Sequence, residues 1–397
     1  MNIAITYEAP ETDEMGIRLT AKEMGIDLAF IPFRKVSASI TNEGYSFRTK
    51  GRDYAHIIRD TRVVLNRTQS KNRRIYAGSI LEAFGKHVIN SSSIEFTCFS
   101  KLRTLLRLWR AGIKIPRTVY VPCDAHDRVS GSALTLHNED DIADLIQGSL
   151  GDGPIVIKPD AGTHGRMVRL AKNRQELTKL LRETEPSTLN PSGFVAQELV
   201  PKWFFDLRII VAKKWGATSH CYPTALARAG FKDFRTNTYL GNMVFGVDLP
   251  PQILELAEKC GNAIGQGTEA WVLAFDAMLN LAKNKFIDDE QIKLELKKLK
   301  KPFDAVKKIK QKKDRIMNFV AWNRDLEAAY GDYTTIDAYE KVKEIIQESI
   351  RRSNSSILFH EANACPEFWE QTRPIAGINV AEPLLECAQS IIDHQPI

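Results

Sequence analysis

The sequence predicts an α/β layer at the N-terminus, followed by an α+β body that a helical insertion interrupts. Three observations predict it. Short apolar strands alternate with helical patterns through the first 95 residues, strands and helices then mix without that alternation, and a Lys- and Glu-rich tract, residues 283–356, separates the last two strands.

The first layer opens with a strand over about Asn2 to Tyr7, a helix near Glu14–Met24 and a second strand, Leu28–Pro32. Val63–Asn66 reads as a buried strand ending in a polar loop, and Ile75–Phe84 as a helix. The alternation favours a parallel, Rossmann-like sheet. No G-x-G-x-x-G occurs in it, so residues 1–95 are expected to be an accessory domain rather than the nucleotide site. From Ser100 the pattern changes. Leu102, Leu105, Leu106 and Trp109 fall at helical spacing, and Gly112 stands where that helix should stop. Strands are expected over Arg117–Val121, Pro154–Lys158, Phe194–Leu199, Leu207–Ala212, Trp271–Asp276 and Ile357–Glu361, with a helix near Arg174–Glu183 and a closing one over Val380–Ile392. Within 283–356, Ile292, Leu296 and Leu299 recur at helical intervals, and Pro302 is expected to break the helix. An insertion of this kind is tolerated where it emerges from the surface.

At 397 residues, with 43% hydrophobic and 26% charged, the chain is long enough for two or three globular domains. It contains no apolar run near the roughly 18 residues of a membrane helix, and its first residues lack the order of a signal peptide. A cytoplasmic protein with no membrane partner is expected. The six cysteines are scattered and none forms C-x-x-C, which argues against structural zinc or a redox pair. Between Lys283 and Arg315 lie 13 Lys/Arg against 6 Asp/Glu, more than the whole formal excess of +6, so the rest of the chain is nearly neutral.

Three local features could carry chemistry. Ile155-Val156-Ile157-Lys158 is an apolar strand ending in Lys, followed by a loop holding Gly162 and Gly165. Glycine lets backbone N–H groups approach phosphate oxygens, and Lys adds a compact charge, although an ordinary turn would look the same. Asp276 and Glu361 each follow an apolar strand, and Asn363, two residues beyond Glu361, shares its face. Carboxylate and amide oxygens suit Mg²⁺; strand caps or structural ion pairs are the plainer reading. Arg208 and Arg235 lie near strands and suit planar anions, or surface salt bridges.

The order of the pieces is more specific than any one of them. Lys101 in Ser-Lys-Leu-Arg precedes Lys158 and its loop. Then come Gln197-Glu198-Leu199-Val200, Asp206-Leu207-Arg208, Phe234-Arg235-Thr236-Asn237, Phe275-Asp276, Glu361-Ala362-Asn363-Ala364-Cys365-Pro366 and Gly377-Ile378-Asn379. That succession resembles the RimK-like branch of the ATP-grasp carboxylate–amine ligases, over roughly residues 60–285 and 356–390. The resemblance implies an ATP-grasp fold: a pre-ATP-grasp domain in 1–95, a central lid domain in 96–197, and a C-terminal domain in 198–397 that carries the insertion. It implies that Lys101 and Lys158 contact the ATP phosphates or atoms near the adenine, that Gly162 and Gly165 belong to the same ATP site, and that Glu198 and Leu199 form the hinge reading the adenine edge. Arg208, Arg235 and Asn237 would act on the transferred phosphoryl group, and Asp276, Glu361 and Asn363 would hold two Mg²⁺ ions, with Mn²⁺ as an alternative. The implied reaction makes an acyl-phosphate with ATP and then an amide, adding glutamate or another amino acid to a peptide, protein or cofactor.

An acidic peptide or protein acceptor and a homo-oligomer are expected; nucleic acid is not. The other readings are a nucleic-acid or acidic-protein binding module with a degenerate core, and a kinase-like enzyme that phosphorylates without ligating. Two departures from the family pattern stand out: Gly165 is followed by Arg166 rather than by a further Gly-x-Gly step, and Asn237 by Thr238-Tyr239-Leu240-Gly241-Asn242 rather than by a basic residue and paired glycines. Cys365 and His164 are read as a packing residue and a loop residue that could touch phosphate.

Overall fold

The structure is a computed structural model that describes residues 2–51, 53–121, 139–162, 165, 167–183, 193–236 and 240–394. The first layer runs β1 (Ile3–Tyr7), α1 (Thr12–Glu23), β2 (Leu28–Pro32), β3 (Val36–Thr41), β4 (Gly44–Thr49), α2 (Tyr54–Asp60), β5 (Val63–Asn66), α3 (Lys71–Ala83) and β6 (His87–Ile89). Its sheet has the order β2-β1-β5-β6 with every pair parallel. Val63, Val64 and Leu65 are fully buried, as expected of a strand covered on both faces. The hairpin β3–β4 forms its own two-stranded sheet and was not anticipated, because its Ser- and Thr-rich strands are mostly exposed and lack an apolar alternation. Helix α3 starts four residues before the expected Ile75. The polar run Lys71-Asn72-Arg73-Arg74 hides its first turn, which matters because Lys71 and Arg74 reach the site.

The chain continues through α4 (Ser92–Phe99), α5 (Lys101–Arg110), β7 (Thr118–Val121), α6 (Glu139–Leu150), β8 (Ile155–Pro159), β9 (Arg169–Ala171), α7 (Arg174–Arg182) and β10 (Phe194–Glu198). These strands make an antiparallel sheet in the order β7-β10-β8-β9. It has a small core of its own, in which Ile142, Ile146, Leu177, Leu181 and Phe194 pack together. On α5 the buried face differs from the expected one. Thr104, Leu105 and Leu108 are buried, whereas Leu106 and Trp109 are exposed, because α8 (Pro251–Ile264) and β15 (Ile357–Asn363) lie on the first side.

The third sheet contains β11 (Phe205–Lys213), β12 (His220–Ala229), β13 (Met243–Asp248), β14 (Trp271–Leu279) and β15, antiparallel in the order β13-β12-β11-β14-β15. β14 runs three residues past Asp276, so that residue sits within the strand and not at its end. Between β14 and β15 the insertion forms three helices, α9 (Asp289–Lys310), α10 (Phe319–Thr334) and α11 (Asp337–Ser353). Pro302 does not break α9. Buried Ile292, Leu296, Leu299, Phe303 and Val306 bracket it at three- and four-residue spacing and pack against α10 and α11, which outweighs a local penalty of about 3 kcal/mol. The chain closes with α12 (Thr372–Ala376) and α13 (Ala381–His394), the latter packed on α1 and β5. Among the described residues, no helix is long and apolar enough to cross a membrane.

Candidate active site

A cavity of about 950 Å³ is lined from both antiparallel sheets, from α3 and α5, and from the end of α9. Its floor is organised by register. Arg208 on β11 lies opposite Asp276 on β14, and Asp276 lies opposite Glu361 on β15, so three charged residues form one row across adjacent strands. Next to that row, Arg228 on β12 lies opposite Asp206 on β11.

The row is tightly paired at one end. Arg208 donates Nε to Asp276 Oδ1 (2.9 Å) and Nη2 to Oδ2 (3.1 Å). Arg228 donates Nε to Asp206 Oδ1 (2.7 Å), and its Nη2 lies 3.1 Å from Asp276 Oδ2. Lys202 and the Thr236 hydroxyl complete the partners of Asp206. Burial works to raise the Asp276 carboxyl, but Arg208 and Arg228 outweigh it and hold it well below the usual carboxylate range. At the other end, no hydrogen bond or ion pair engages Glu361 among the described residues. Burial again works upward on it, and the nearby charges of Lys101 and Lys71 win and lower it. A register shift between Asp276 and Ala277 makes His360 the extra residue of a bulge, next to Glu361 on the cavity wall. Burial, and then Lys158, push His360 down to about 4, so the ring is neutral near pH 7.

The cations opposite come from the four-stranded sheet and from α5. Lys158, on β8, donates Nζ to Gln197 Oε1 (2.6 Å), and burial pushes it down to about 8. Lys101 opens α5; its backbone N–H donates to the Asp160 carbonyl (3.1 Å), and burial lowers its pKa. Gly162 fits tightly between these pieces. A Cβ there would meet Pro159 Cγ at 3.1 Å and Lys101 Nζ at 3.7 Å, and the Gly162 carbonyl accepts from Lys71 Nζ (3.4 Å). Gly165, at φ +66°, turns its carbonyl to Arg235 Nη1 (3.1 Å), and Asp233 holds that arginine through Nε and Nη2 at 2.9 Å each.

At the end of β10, Glu198 accepts from the backbone and Nε of Arg117 (2.9 and 2.7 Å). The N–H groups of Glu198 and Leu199 both donate to the protein's own carbonyls, those of Arg117 and Pro154. The next N–H, of Val200, has no partner among the described residues, and Val200 lines the cavity beside apolar Val156, Leu199 and Met278.

Of the twelve residues singled out in the sequence, eleven line this one cavity: Lys101, Lys158, Gly162, Gly165, Glu198, Leu199, Arg208, Arg235, Asp276, Glu361 and Asn363. Asn237, together with His164 and Arg166, lies outside the described residues. Lys71, Arg74, Lys202, Arg228 and His360 were missed; Lys307 and Lys310, from the basic tract that the sequence singles out, line the cavity at the end of α9, with Arg315 just beyond. Arg228 left no sequence signal, since Thr-Ala-Leu-Ala-Arg-Ala reads equally as strand or helix; only the β11–β12 register reveals its partners. Beyond Asn363 the chain is pinned to the first layer. Arg67 donates Nη1 to the Pro366 carbonyl (3.1 Å), and Asp13 Oδ1 accepts from the N–H groups of Phe368 and Trp369 (3.2 and 2.9 Å).

Asp276, Glu361 and Asn363 offer two carboxylates and an amide to a divalent ion. Among the described residues, no group of three or more His, Cys, Asp or Glu side chains is gathered to hold one. Mg²⁺ keeps waters and takes one or two carboxylates together with substrate phosphates. Glu361 is uncommitted, and Asn363, whose Nδ2 is buried without a partner, has its amide oxygen on the same strand face. Asp276 fits on condition that it shares an oxygen now held by the arginines.

Residues 126–306 match the family described as the RimK-like ATP-grasp domain. The chain is 27% identical over 266 residues to the α-aminoadipate–LysW ligase LysX of Sulfurisphaera tokodaii, covering 67% of this chain and 82% of that protein. It is 30% identical over 207 residues to the same-named ligase of Saccharolobus solfataricus, covering 52% and 67%. It is 28% identical over 186 residues to the ribosomal protein bS6–L-glutamate ligase of Salmonella paratyphi B, covering 46% and 54%. The structure of the ATP-grasp ligase PsnB with a minimal precursor shares the fold at a TM-score of 0.53 and 13% identity, covering 100% of this chain and 99% of that one.

Proposed function

Because the chain belongs to the RimK-like ATP-grasp family, we propose that its cavity activates a peptide or protein carboxylate with ATP and joins it to the amine of an amino acid. A carboxylate oxygen attacks the γ-phosphorus, the bond to the β-phosphate oxygen breaks, and ADP leaves. The amine nitrogen then attacks the acyl carbon, the C–O bond to phosphate breaks, inorganic phosphate leaves, and the amine gives up its proton to it or to water. No Ser or Cys nucleophile is needed. The protein's part is positioning and charge stabilisation.

Lys101 and Lys158, with the backbone at Gly162 and Gly165, hold the phosphates. Val156, Leu199 and Met278 enclose the base, and the free N–H of Val200 reads its edge together with the Glu198–Leu199 carbonyls. Arg208, Arg235 and Asn237 meet the charge on the moving phosphoryl group. A divalent ion, held by Asp276, Glu361 and Asn363, would neutralise phosphate charge; two Mg²⁺ ions, or Mn²⁺ in their place, belong to this reading. So does the division of the chain at residues 95 and 197, with 283–356 as an insertion in the last part. A protein acceptor is supported by the relatives' names, which are of ligases for LysW and ribosomal protein bS6; that it is acidic belongs to this reading.

One observation carries the reading: eleven residues scattered from Lys101 to Asn363 line a single cavity. It is tested by incubating the protein with ATP, Mg²⁺, a glutamate-ended peptide and hydroxylamine. Acyl-phosphate is trapped as hydroxamate with one ADP for each. ADP without hydroxamate, or neither product with any of a panel of peptides, overturns the ligase reading.

A further inference from the structure

We infer that the last turn of α9 and the turn that follows it form a subsite for the carboxylate of the amine-bearing amino acid, made by Lys307, Lys310 and Arg315. The inference rests on the ligase reading above and names the part of the cavity that the nucleotide residues leave over. At about 950 Å³ the cavity lies at the upper end of the roughly 300–1,000 Å³ range of ligand pockets, large enough for more than a nucleotide. The nucleotide end is walled by β8, β10 and the hinge. The same cavity is also lined by Lys307, Lys310, Gln311 and Arg315, and by Glu367 and Glu370 in the segment that continues from Asn363.

Its location follows from two contacts. A Cβ on Gly241 would lie 3.7 Å from Lys307 Nζ, so Lys307 faces the loop that follows Arg235. Lys310 Nζ lies 3.3 Å from Glu370 Oε2, on the segment leaving the metal-binding strand. The inserted helix therefore ends between the arginine that meets the phosphoryl group and the strand that holds the ion. An amine attacking an acyl-phosphate formed there must be held within reach of both. Each cation has one carboxylate beside it, Asp304 for Lys307, Glu370 for Lys310 and Glu11 for Arg315, which leaves donors of all three unused, and Arg315 Nε has no partner. An amino acid's carboxylate would take the remaining donors of Lys307 Nζ, Lys310 Nζ and the outer nitrogens of Arg315, and its amine, one carbon away, is then fixed near the acyl carbon.

The plain alternative is that Lys310–Glu370 and Arg315–Glu11 (3.0 Å) only fasten the insertion to the first layer. The rest of α9 shows what a solvated set of lysines looks like. Lys297, Lys301 and Lys308 are exposed on the face opposite Leu299, Phe303 and Val306, and none of them lines the cavity.

The test compares the amino acid giving the fastest turnover among the twenty with its own α-carboxamide, in which the charge is removed. The parent should prefer the free acid at least about tenfold in kcat/KM, the scale of a charged hydrogen bond. Lys310→Gln and Arg315→Gln should raise the amino acid KM by about tenfold or more and bring that preference close to one. Hydroxamate formation, which needs no amino acid, should stay at the parent rate, and Lys308→Gln should change neither. Lys307→Gln guards against undocking, since the ion pair of Lys307 is with Asp304 on its own helix, and it should also lower the preference. A parent indifferent to the amide, or a preference intact in all three variants, overturns the subsite. If the parent forms no hydroxamate, the ligase reading fails instead, and calorimetric binding of the acid against its amide still decides the subsite.

Discussion

The two walls of the cavity solve opposite electrostatic problems. On the five-stranded sheet the charges other than Glu361 are already paired: Arg228 bridges Asp206 and Asp276, and Arg208 grips Asp276 with two hydrogen bonds. On the four-stranded sheet and α5, Lys158 and Lys101 are buried beside a Gln side chain and backbone carbonyls, and their pKa values fall. The first wall is a finished ion network that contributes to the fold whether or not a ligand is bound. The second is short of negative charge, and the phosphates of a nucleotide would supply it. The difference teaches which residues belong to stability and which to binding, although all of them are charged and all line one cavity.

The largest effect should come from breaking the finished network. Arg228→Met leaves Asp206 and Asp276 buried beside fewer cations, and loss of one partner of a buried pair costs about 3–5 kcal/mol. Its urea midpoint should fall accordingly, whereas Lys158→Met should be no less stable than the parent. Equal losses in both variants would erase the contrast. Next, Glu361→Gln should reduce Mg²⁺-dependent ADP formation by about 100-fold or more, the scale of removing a transition-state charge contact, with a smaller loss of stability than Arg228→Met, because Glu361 has no hydrogen-bond partner and only the nearby charges of Lys101 and Lys71 to lose. Asp276→Asn should lose activity and also stability, since it weakens both arginine contacts; turnover near the parent's in both variants removes the metal assignment.

A third prediction concerns protons. Lys158 sits at about 8 in the folded chain against about 10.4 when unfolded. Between those values the unfolded chain binds more protons, so this residue destabilises the unliganded fold fully below pH 8, and that penalty disappears as pH rises towards 10. Stability measured over pH 8–10 should climb, less so in Lys158→Met. ATP should draw the proton back, so binding heats at pH 8 should depend on the buffer's ionisation enthalpy and reveal proton uptake. Uptake unchanged in Lys158→Met would show that another group is responsible. The smallest effect is expected from Lys308→Gln combined with Lys313→Gln. Both face solvent, so only a modest, salt-screened change in the on-rate of an acidic acceptor should follow.

Motifs that act within a few residues of themselves were legible in the chain. Lys158 ends an apolar strand, Glu361 and Asn363 share a face because strands repeat every two residues, and the glycines mark the loop. Elements with strong local patterns, such as β1, β2, β5 and α13, fall close to where they were expected. The β3–β4 hairpin, β12 and β13 were not anticipated, because their sequences carry no clean alternation. Pro302 misled for a related reason: a local preference was read without the buried row that overrides it.

By itself, then, the order of the motifs determined the fold class and the residues that meet at the cavity, since each motif's spacing is a property of one strand or loop. Tertiary structure alone decided that Arg228 joins Asp206 to Asp276, because strand register is set by packing across the sheet. It also decided which lysines of α9 matter. Lys308 and Lys310 are chemically identical and two residues apart, and only the packing of α9 against its neighbours turns one towards solvent and the other into the cavity.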